Sequence, residues 1–389
     1  MVSTRLQKNE GNRRRGSSVG NISVGDTGAL LSTMPLLSSS RKRSVSRLRE
    51  LQDTLDLDLA LARKIFMAFR ELTFRNTWII PGIIVLTLFG LYFGLPEGSA
   101  VHEFLKKGAV LLYPIAGTDQ YGKGENDFYF VFFYLIVFMF IREFAMGIIL
   151  RPFAIYMGIT KEGKQKRFME QMYVIMYNSV LGPLGLWIIS QLPLWFFETT
   201  PFYTTYPHKT HDFYFKLYYL GQAAFWVQQM IVLILQLEKP RKDFYELVLH
   251  HIITIALIWC LYRFHFTWMG LEVYITMDVS DFFLALLKSL NCVDLILTVP
   301  FFILFVLVWI YLRHYINLRI LWSVLTEFRT VGEWELNWDT QQYKCYISQP
   351  IVFFLIGALQ LVNAYWLFLM LRILKRYIVG GIAKDERSD

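Results

Sequence analysis

Blocks of mostly apolar residues, each long enough to cross a bilayer, fill most of this chain after residue 77. A transmembrane α-helix needs about 20 predominantly apolar residues, whereas a transmembrane β-strand is a segment of about 10 residues of alternating character. The blocks are continuous rather than alternating, so they predict an all-α polytopic membrane protein with about eight transmembrane helices. The predicted spans are residues 78–95, 128–150, 172–190, 213–237, 247–264, 271–290, 295–312 and 351–374.

The charge of the chain is concentrated outside these blocks. The formal net charge is +8, and the basic residues cluster in the N-terminal tail and in a few short loops. We interpret them as a signal for topology and for contact with the lipid surface, and we expect no nucleic-acid partner. Residues 1–60 are polar and lack a sustained hydrophobic period, so the sequence predicts disorder there. Three widely separated cysteines predict neither a disulfide framework nor a zinc site.

The positions of Lys and Arg beside the spans predict the orientation of the chain. The basic tail, the loops at 151–167 and 239–242 and the C-terminal flank fall on one side if eight helices cross the membrane. Both termini are therefore predicted to be cytosolic. The segment 313–349 is basic but falls on the opposite side, and we interpret its periodic stretch, residues 318–328, as a surface helix in a long loop.

Two histidines and two aspartates lie in consecutive predicted spans. His250 and His251 are adjacent near the start of one span, and Asp278 and Asp281 lie one helical turn apart in the next. At 1.5 Å per residue, the histidines would lie roughly 9–14 Å and Asp281 about 13 Å from one surface, with Asp278 one turn deeper. Antiparallel helices would thus place both pairs at a similar depth. Ionisable side chains are costly inside a bilayer and mark a functional site by default. The cluster therefore predicts proton-transfer or nucleophilic chemistry on a lipid-borne substrate.

The sequence also allows simpler roles for these residues. The histidines can be satisfied packing residues, and the aspartates can pair with a base such as Lys288. Histidine and carboxylate ligands also suit zinc or iron, but the clustered histidines of membrane di-iron enzymes are absent and we expect no metal. Ser280 lies off the aspartate face and is a poor candidate nucleophile. Gln222 and Gln229, which are seven residues apart in the preceding span, are candidates to line a cavity.

Longer motifs surround these residues: ELVLHHIIT at 246–254, FHFTWMG at 264–270 and DVSD at 278–281. Together they resemble the longevity-assurance motif of the ceramide synthases. Further landmarks are Arg142-Glu143, Arg151-Pro152-Phe153, LGQAAFW at 220–226 and KPRKD at 239–243. The resemblance covers about residues 65–387 and is of the fungal type.

That resemblance implies a TLC-type fold, in which six helices form a barrel around a lipid cavity. Together with the composition and charge pattern, it divides the chain into a disordered cytosolic tail at 1–60, an interfacial helix with two membrane helices at 61–165, a six-helix catalytic domain at 166–376 and a cytosolic tail at 377–389. The implied location is the membrane of the endoplasmic reticulum.

The implied activity is transfer of a fatty acyl group, often a very long one, from acyl-CoA to the amine of a sphingoid base. With sphinganine or phytosphingosine as acceptor, the product is dihydroceramide or phytoceramide. Acyl-CoA is a substrate in this reaction, so no cofactor is expected. The implied partners are a small single-span accessory subunit, and a second copy or a paralogue in a dimer.

Residue roles follow from the resemblance together with the chemistry of the side chains. We predict that His250 is the reacting group and His251 its support, and that Asp278 or Asp281 orients the imidazole and stabilises its charge. Whether the histidine acts as a general base or accepts the acyl group covalently stays open.

The basic loop before the histidine span gives a further prediction. Lys239, Arg241 and Lys242 are expected to contact the phosphates of CoA, although these residues can equally serve only to set the topology. A non-catalytic lipid carrier or sensor on the same fold is the alternative function. A transporter that uses the cluster as a proton relay predicts internal repeats and broken helices, which the sequence does not convincingly contain.

Overall fold

The computed structural model describes residues 36–195, 197–235, 243–293 and 297–380. Contacts within the chain divide it into two units, residues 1–69 and residues 70–389. Most of helix α1 (Leu36–Arg75) belongs to the first unit. Residues 36–60 lie in this helix, where the sequence predicted disorder. Polar residues with leucines at helical spacing also form an amphipathic helix. The predicted disorder of residues 1–35 concerns a segment outside the described residues.

The described part of the second unit is almost entirely helical. Its helices are α2 (Ile79–Gly94), α3 (Ala100–Ala109), α4 (Asp127–Phe144), α5 (Arg151–Tyr156), α6 (Glu162–Ser190), α7 (Pro201–Thr204), α8 (Phe213–Ile234), α9 (Phe244–Arg263), α10 (Thr267–Cys292), α11 (Thr298–Trp309), α12 (Asn317–Thr330) and α13 (Ser348–Gly380). The π-helical segment Ala145–Leu150 joins α4 to α5, and the segment Ile310–Ile316 joins α11 to α12. Strands β1 (Gln120–Tyr121) and β2 (His211–Asp212) pair antiparallel.

Six helices among the described residues are long and apolar enough to cross a membrane, which confirms the all-α polytopic class. They are Asp127–Tyr156, Glu162–Ser190, Phe213–Ile234, Phe244–Arg263, Thr298–Thr330 and Ser348–Arg376. The predicted span 78–95 corresponds to the shorter apolar helix Ile79–Gly94. The predicted span 271–290 lies within α10, which buries polar side chains such as Glu272 and Asp278 along its length.

Six helices of the predicted catalytic domain form a closed ring. Helix α6 packs against α10, α10 against α11, α11 against α13, α13 against α9, α9 against α8, and α8 against α6. A single cluster of buried apolar side chains fills the space between them, including Phe225, Ile275 and Trp309. Helix α4 packs against α8, and α2 and α3 pack against α4. The ring corresponds to the six-helix barrel that the resemblance implies.

A buried ion pair attaches α4 to this ring. Nζ of Lys216 in α8 lies 2.8 Å from Oδ1 of Asp127 in α4, and it also donates to the carbonyl oxygens of Leu112 at 2.9 Å and Gly122 at 2.8 Å. The hydroxyl of Tyr262 in α9 donates to the other oxygen of Asp127 at 2.7 Å. Because buried charges are costly without partners, this network holds α4, α8 and α9 in one arrangement.

The segment 313–349 begins inside the ring, so its interpretation as a long loop with a separate surface helix was wrong. The helix of α11 continues through Ile310–Ile316 into α12 and ends at Thr330. One face of this helix stays in the core, where the buried residues are Leu312, Arg313, Ile316, Ile320, Val324 and Phe328. The prediction failed because a basic residue at the end of an apolar block resembles a membrane boundary.

Candidate active site

The predicted histidines and aspartates share one cavity of about 190 Å³ inside the helix ring. His250 and His251 reach it from α9, and Asp278 and Asp281 reach it from α10. The rest of its lining comes from α6, α8, α11, α13 and the second π-helical segment, and includes Asn178, Gln229, Trp309, Arg313 and Trp366. The structure therefore brings all four predicted residues together.

His251 is oriented by its own helix. Its Nδ1 lies 2.9 Å from the carbonyl oxygen of Leu247, one turn earlier in α9. Because a carbonyl oxygen can only accept, Nδ1 carries the proton in the neutral ring and Nε2 carries the lone pair. This backbone contact therefore fixes both the tautomer and the ring orientation.

His250 is packed among aromatic rings. Its ring centroid lies 5.1 Å from that of Trp366, 5.8 Å from that of Trp226 and 5.7 Å from that of His251. Its Nδ1 is buried and has no hydrogen-bond partner among the described residues. A buried polar atom without a partner is costly, so this imidazole is open to a polar partner supplied by a substrate.

Asp278 is the acceptor at the end of a hydrogen-bond chain from α6 and α8. The hydroxyl of Tyr218 donates to its Oδ2 at 2.9 Å, and Nε2 of Gln222 donates to the same oxygen. The hydroxyl of Tyr177 in turn donates to Oε1 of Gln222 at 3.1 Å. Asp278 is only 2% exposed, so these donors compensate for the water that a buried carboxylate loses.

Asp281 pairs with a guanidinium that the sequence placed in a loop. Nη2 of Arg313 lies 2.6 Å from Oδ1 of Asp281. The same guanidinium donates to Ser280 Oγ at 2.5 Å and to Asn363 Oδ1 at 3.2 Å, and it lies 4.1 Å from the ring centroid of Trp309. Arg313 is 1% exposed, so the planar guanidinium group is fixed by contacts on several sides.

Neither aspartate hydrogen-bonds to an imidazole in the described part of the chain. Asp278 is hydrogen-bonded by α8, and Asp281 is paired with the second π-helical segment. The backbone carbonyl of Leu247 contacts His251. The role of an aspartate in orienting an imidazole therefore stays a prediction.

Sequence reasoning missed several residues of this site, among them Arg313 and Tyr218. The signal for Arg313 was the helical spacing of apolar residues that continues past 312, and the positive charge obscured it. The signal for Tyr218 was its position four residues before Gln222, on the same helix face. Gln222 itself binds Asp278, and Gln229 lines the cavity as predicted. Ser280 is held by Arg313, which agrees with its rejection as a nucleophile.

Lys239, Arg241 and Lys242 lie outside the described residues, so their contact with CoA phosphates stays a prediction. Within the residues that the structure describes, no group of three or more His, Cys, Asp and Glu side chains is placed to hold a metal ion.

Comparisons with known proteins agree on one family. A TLC-domain family model matches residues 167–372 of the chain. Ceramide synthase LAG1 of Saccharomyces cerevisiae (strain ATCC 204508 / S288c) is 53% identical over 388 residues, which cover 99% of this chain and 93% of that protein. Sphingosine N-acyltransferase lac1 of Schizosaccharomyces pombe is 49% identical over 317 residues, covering 81% of each chain. Ceramide synthase hyl-1 of Caenorhabditis elegans is 29% identical over 236 residues, covering 60% of this chain and 63% of that one.

Proposed function

This chain belongs to the TLC-domain family of ceramide synthases, and we propose that it transfers a fatty acyl group from acyl-CoA to the amine of a sphingoid base in the cavity lined by His250 and Asp278. The observation that carries this proposal is the meeting of two imidazoles and two carboxylates in one cavity of the helix ring. The alternative, a non-catalytic carrier or sensor, is not favoured, because the relatives at 53% and 49% identity bear the names of N-acyl-transferring enzymes.

The chemistry requires an unprotonated amine at the carbonyl carbon of a thioester. In the direct route, the amine nitrogen forms the new C–N bond, the C–S bond breaks, and the imidazole of His250 takes the proton that the nitrogen loses. In the two-step route, a nitrogen of His250 first attacks the thioester and releases CoA thiolate. The amine then displaces the imidazole and yields the same amide. Both routes need a neutral imidazole with a lone pair that points into the cavity.

The environment of the histidines supports unequal roles. His250 has a buried nitrogen with no described partner, so we assign it the reacting position. His251 is fixed by the Leu247 carbonyl, so we assign it the supporting position. Asp278 and the Asp281–Arg313 pair set the charge of the opposite wall. The apolar rings around His250 would also limit the access of water to an acyl intermediate.

The finer features of the reaction are proposals from the family resemblance. These proposals include a very long acyl chain, sphinganine or phytosphingosine as acceptor, and a reaction without a cofactor. They also include two partners, a small single-span subunit and a second copy or paralogue in a dimer. We place the protein in the endoplasmic reticulum membrane with both termini cytosolic. The loop with Lys239, Arg241 and Lys242 would then face the compartment that holds acyl-CoA.

The proposal is tested with purified protein, labelled acyl-CoA and sphinganine. Formation of labelled amide is expected from the wild type. The rate of amide formation should fall in each of four variants, which are His250→Ala, His251→Ala, Asp278→Asn and Asp281→Asn. A matched control is His102→Ala, which removes a buried histidine of α3 outside the cavity and should retain the reaction. Retained lipid without amide product would instead support the carrier, and full activity in all four variants would eliminate this site.

A further inference from the structure

A second cavity of about 570 Å³ lies between α4, α8 and α9. It shares no lining residue with the cavity of the histidines. Its α8 wall is formed by Leu220, Ala223 and Val227, which alternate along the helix with residues that face the ring interior, such as Gln222 and Trp226. The cavity therefore lies on the outer side of the ring, in the cleft between α4 and α9. Its volume falls within the range of about 300–1,000 Å³ that is typical of ligand pockets.

The cleft is apolar over most of its length and open at its sides. Val131 from α4 and Ile255 and Ile258 from α9 complete the apolar wall. Phe128 and Trp259, which also line it, are 50% and 47% exposed. Helices α4, α8 and α9 lie in segments that are long and apolar enough to cross a membrane. When they do so, this opening faces the hydrocarbon region, where an acyl chain can enter from the side.

One end of the cleft carries two cations. Lys123 lies just before α4, and Arg263 is the last residue of α9. Neither forms an ion pair with a residue in the described part of the chain. Nζ of Lys123 donates to the carbonyl oxygen of Tyr262 at 3.1 Å and lies 5.2 Å from the centroid of that ring. Two basic side chains that form no ion pair with a described residue thus meet at one end of an apolar groove.

The acidic groups at this end do not cancel both cations. Asp127 is ion-paired with Lys216, which leaves Glu125 as the other carboxylate of the lining. Burial, opposed by the charge of Asp127, holds the pKa of Lys123 well below its usual value. A bound anion would offset this burial and favour the charged ammonium. The end of the cleft therefore fits an anionic group better than a cationic one.

We propose that this cleft binds one membrane glycerophospholipid, with its phosphate between Lys123 and Arg263 and an acyl chain along the wall of Ala223. Basic pockets between membrane helices bind lipid phosphates by the same combination of charge and apolar surface. A sphingoid base carries an ammonium group, which two cations would repel. An apolar helix of another protein would cover the groove but leave Lys123 and Arg263 without counter-charges.

The test is native mass spectrometry of the delipidated full chain in detergent, titrated with dioleoylphosphatidylcholine. The wild type should show one saturable adduct per chain. Lys123→Gln combined with Arg263→Gln should lower its occupancy at least tenfold at the same lipid concentration. Lys106→Gln combined with Arg329→Gln removes two exposed cations outside the cleft and should leave it unchanged.

A second variant probes the apolar part of the site without changing charge. Ala223→Phe fills the groove beside α8, and it should also abolish the adduct while the protein keeps its elution volume and thermal midpoint. Equal occupancy in the wild type and the Lys123/Arg263 variant would overturn the proposal, as would the absence of any saturable adduct. Preferential binding of sphinganine over the phospholipid in a competition titration would also overturn it. The readout is independent of acyl transfer, so it can fail while the proposed reaction stands.

Discussion

Asp278 and Asp281 lie one turn apart on α10 but have different partners. Asp278 accepts hydrogen bonds from neutral groups of α8, whereas Asp281 pairs with the guanidinium of Arg313. The first arrangement supplies hydrogen-bond donors without a counter-charge, and the second supplies a cation. At the scale of single residues, this asymmetry distinguishes the two carboxylates and predicts different effects of removing their partners.

Tyr218→Phe removes one donor to Asp278. The carboxylate stays buried, so we expect a loss of about 1–3 kcal/mol in the free energy of unfolding. Thermal unfolding in detergent measures the effect. Tyr214→Phe, on the same helix at a side chain that is half exposed, is the matched control and should change the midpoint little. Equal midpoints for both variants would mean that the Tyr218 hydroxyl contributes nothing to the network.

Arg313→Ala leaves Asp281 without its cation. We expect the free energy of unfolding to fall by about 3 kcal/mol. This is the lower end of the effect for a buried ion pair, because the Asp281 side chain is 26% exposed. Arg319→Ala breaks an exposed pair with Glu198 at 3.4 Å and should cost less than about 1 kcal/mol. Denaturant or thermal unfolding of the two variants gives the comparison. The interpretation of Arg313 as a buried partner would be wrong if they were equally stable.

His208 gives a prediction for pH. Burial, assisted by the charge of Lys123, lowers its pKa to about 3, against about 6.5 in an unfolded chain. The unfolded state therefore binds the proton first. Below pH about 6.5, stability should fall by about 1.4 kcal/mol per pH unit for this residue, until the folded pKa is reached. His208→Gln should make the decline of the thermal midpoint between pH 6.5 and 5 shallower, and an unchanged slope would contradict the assignment.

At the scale of elements, close approach of helices depends on glycine. A Cβ on Gly185 of α6 would lie 2.7 Å from the hydroxyl of Tyr218 and 3.0 Å from a side-chain carbon of Ile275. On the same helix, a Cβ on Gly182 would meet no atom within 4 Å. Gly185 therefore lets α6, α8 and α10 meet beside Asp278, whereas Gly182 has no such role.

Gly185→Ala should consequently destabilise the protein by about 1–3 kcal/mol and disturb the Tyr218–Asp278 hydrogen bond, since the added methyl group has no room. Gly182→Ala, its matched control, should be neutral or stabilising by up to about 1 kcal/mol, because alanine is the better helix former. The thermal midpoints and the amide-forming activities of the two variants test this prediction. Identical behaviour of both variants would show that the close packing at residue 185 is not essential.

The extent to which the elements were predictable varied along the chain. The start of the block 213–237 and the block 247–264 were located correctly, because a bilayer requires long apolar helices with internally paired backbone groups. The end of α11 was missed because the sequence alone does not distinguish a buried arginine from an arginine at a membrane boundary. The π-helical segment Ile310–Ile316 also changes the helical register at that point, so the contacts of Arg313 cannot be read from regular 3.6-residue spacing.

At the scale of the whole molecule, the ring of six helices explains why distant motifs act together. The histidine and aspartate pairs were predicted to lie at a similar depth from rise per residue alone, and they do line one cavity. Their partners were not predictable, because side-chain pairing depends on the rotation and tilt of each helix, which neighbouring helices determine. The sequence thus predicted the members of the candidate site but not the hydrogen bonds between them.

The central claim is that an imidazole in this cavity takes part in acyl transfer, and His250→Asn tests it most directly. Asparagine approximates the size and polarity of histidine but is neither a base nor an effective nucleophile, so folding should be preserved. We predict that the single-turnover rate of amide formation from acyl-CoA and sphinganine falls by about 10²–10⁴-fold, with an unchanged thermal midpoint. A rate within about threefold of the wild type would contradict the account.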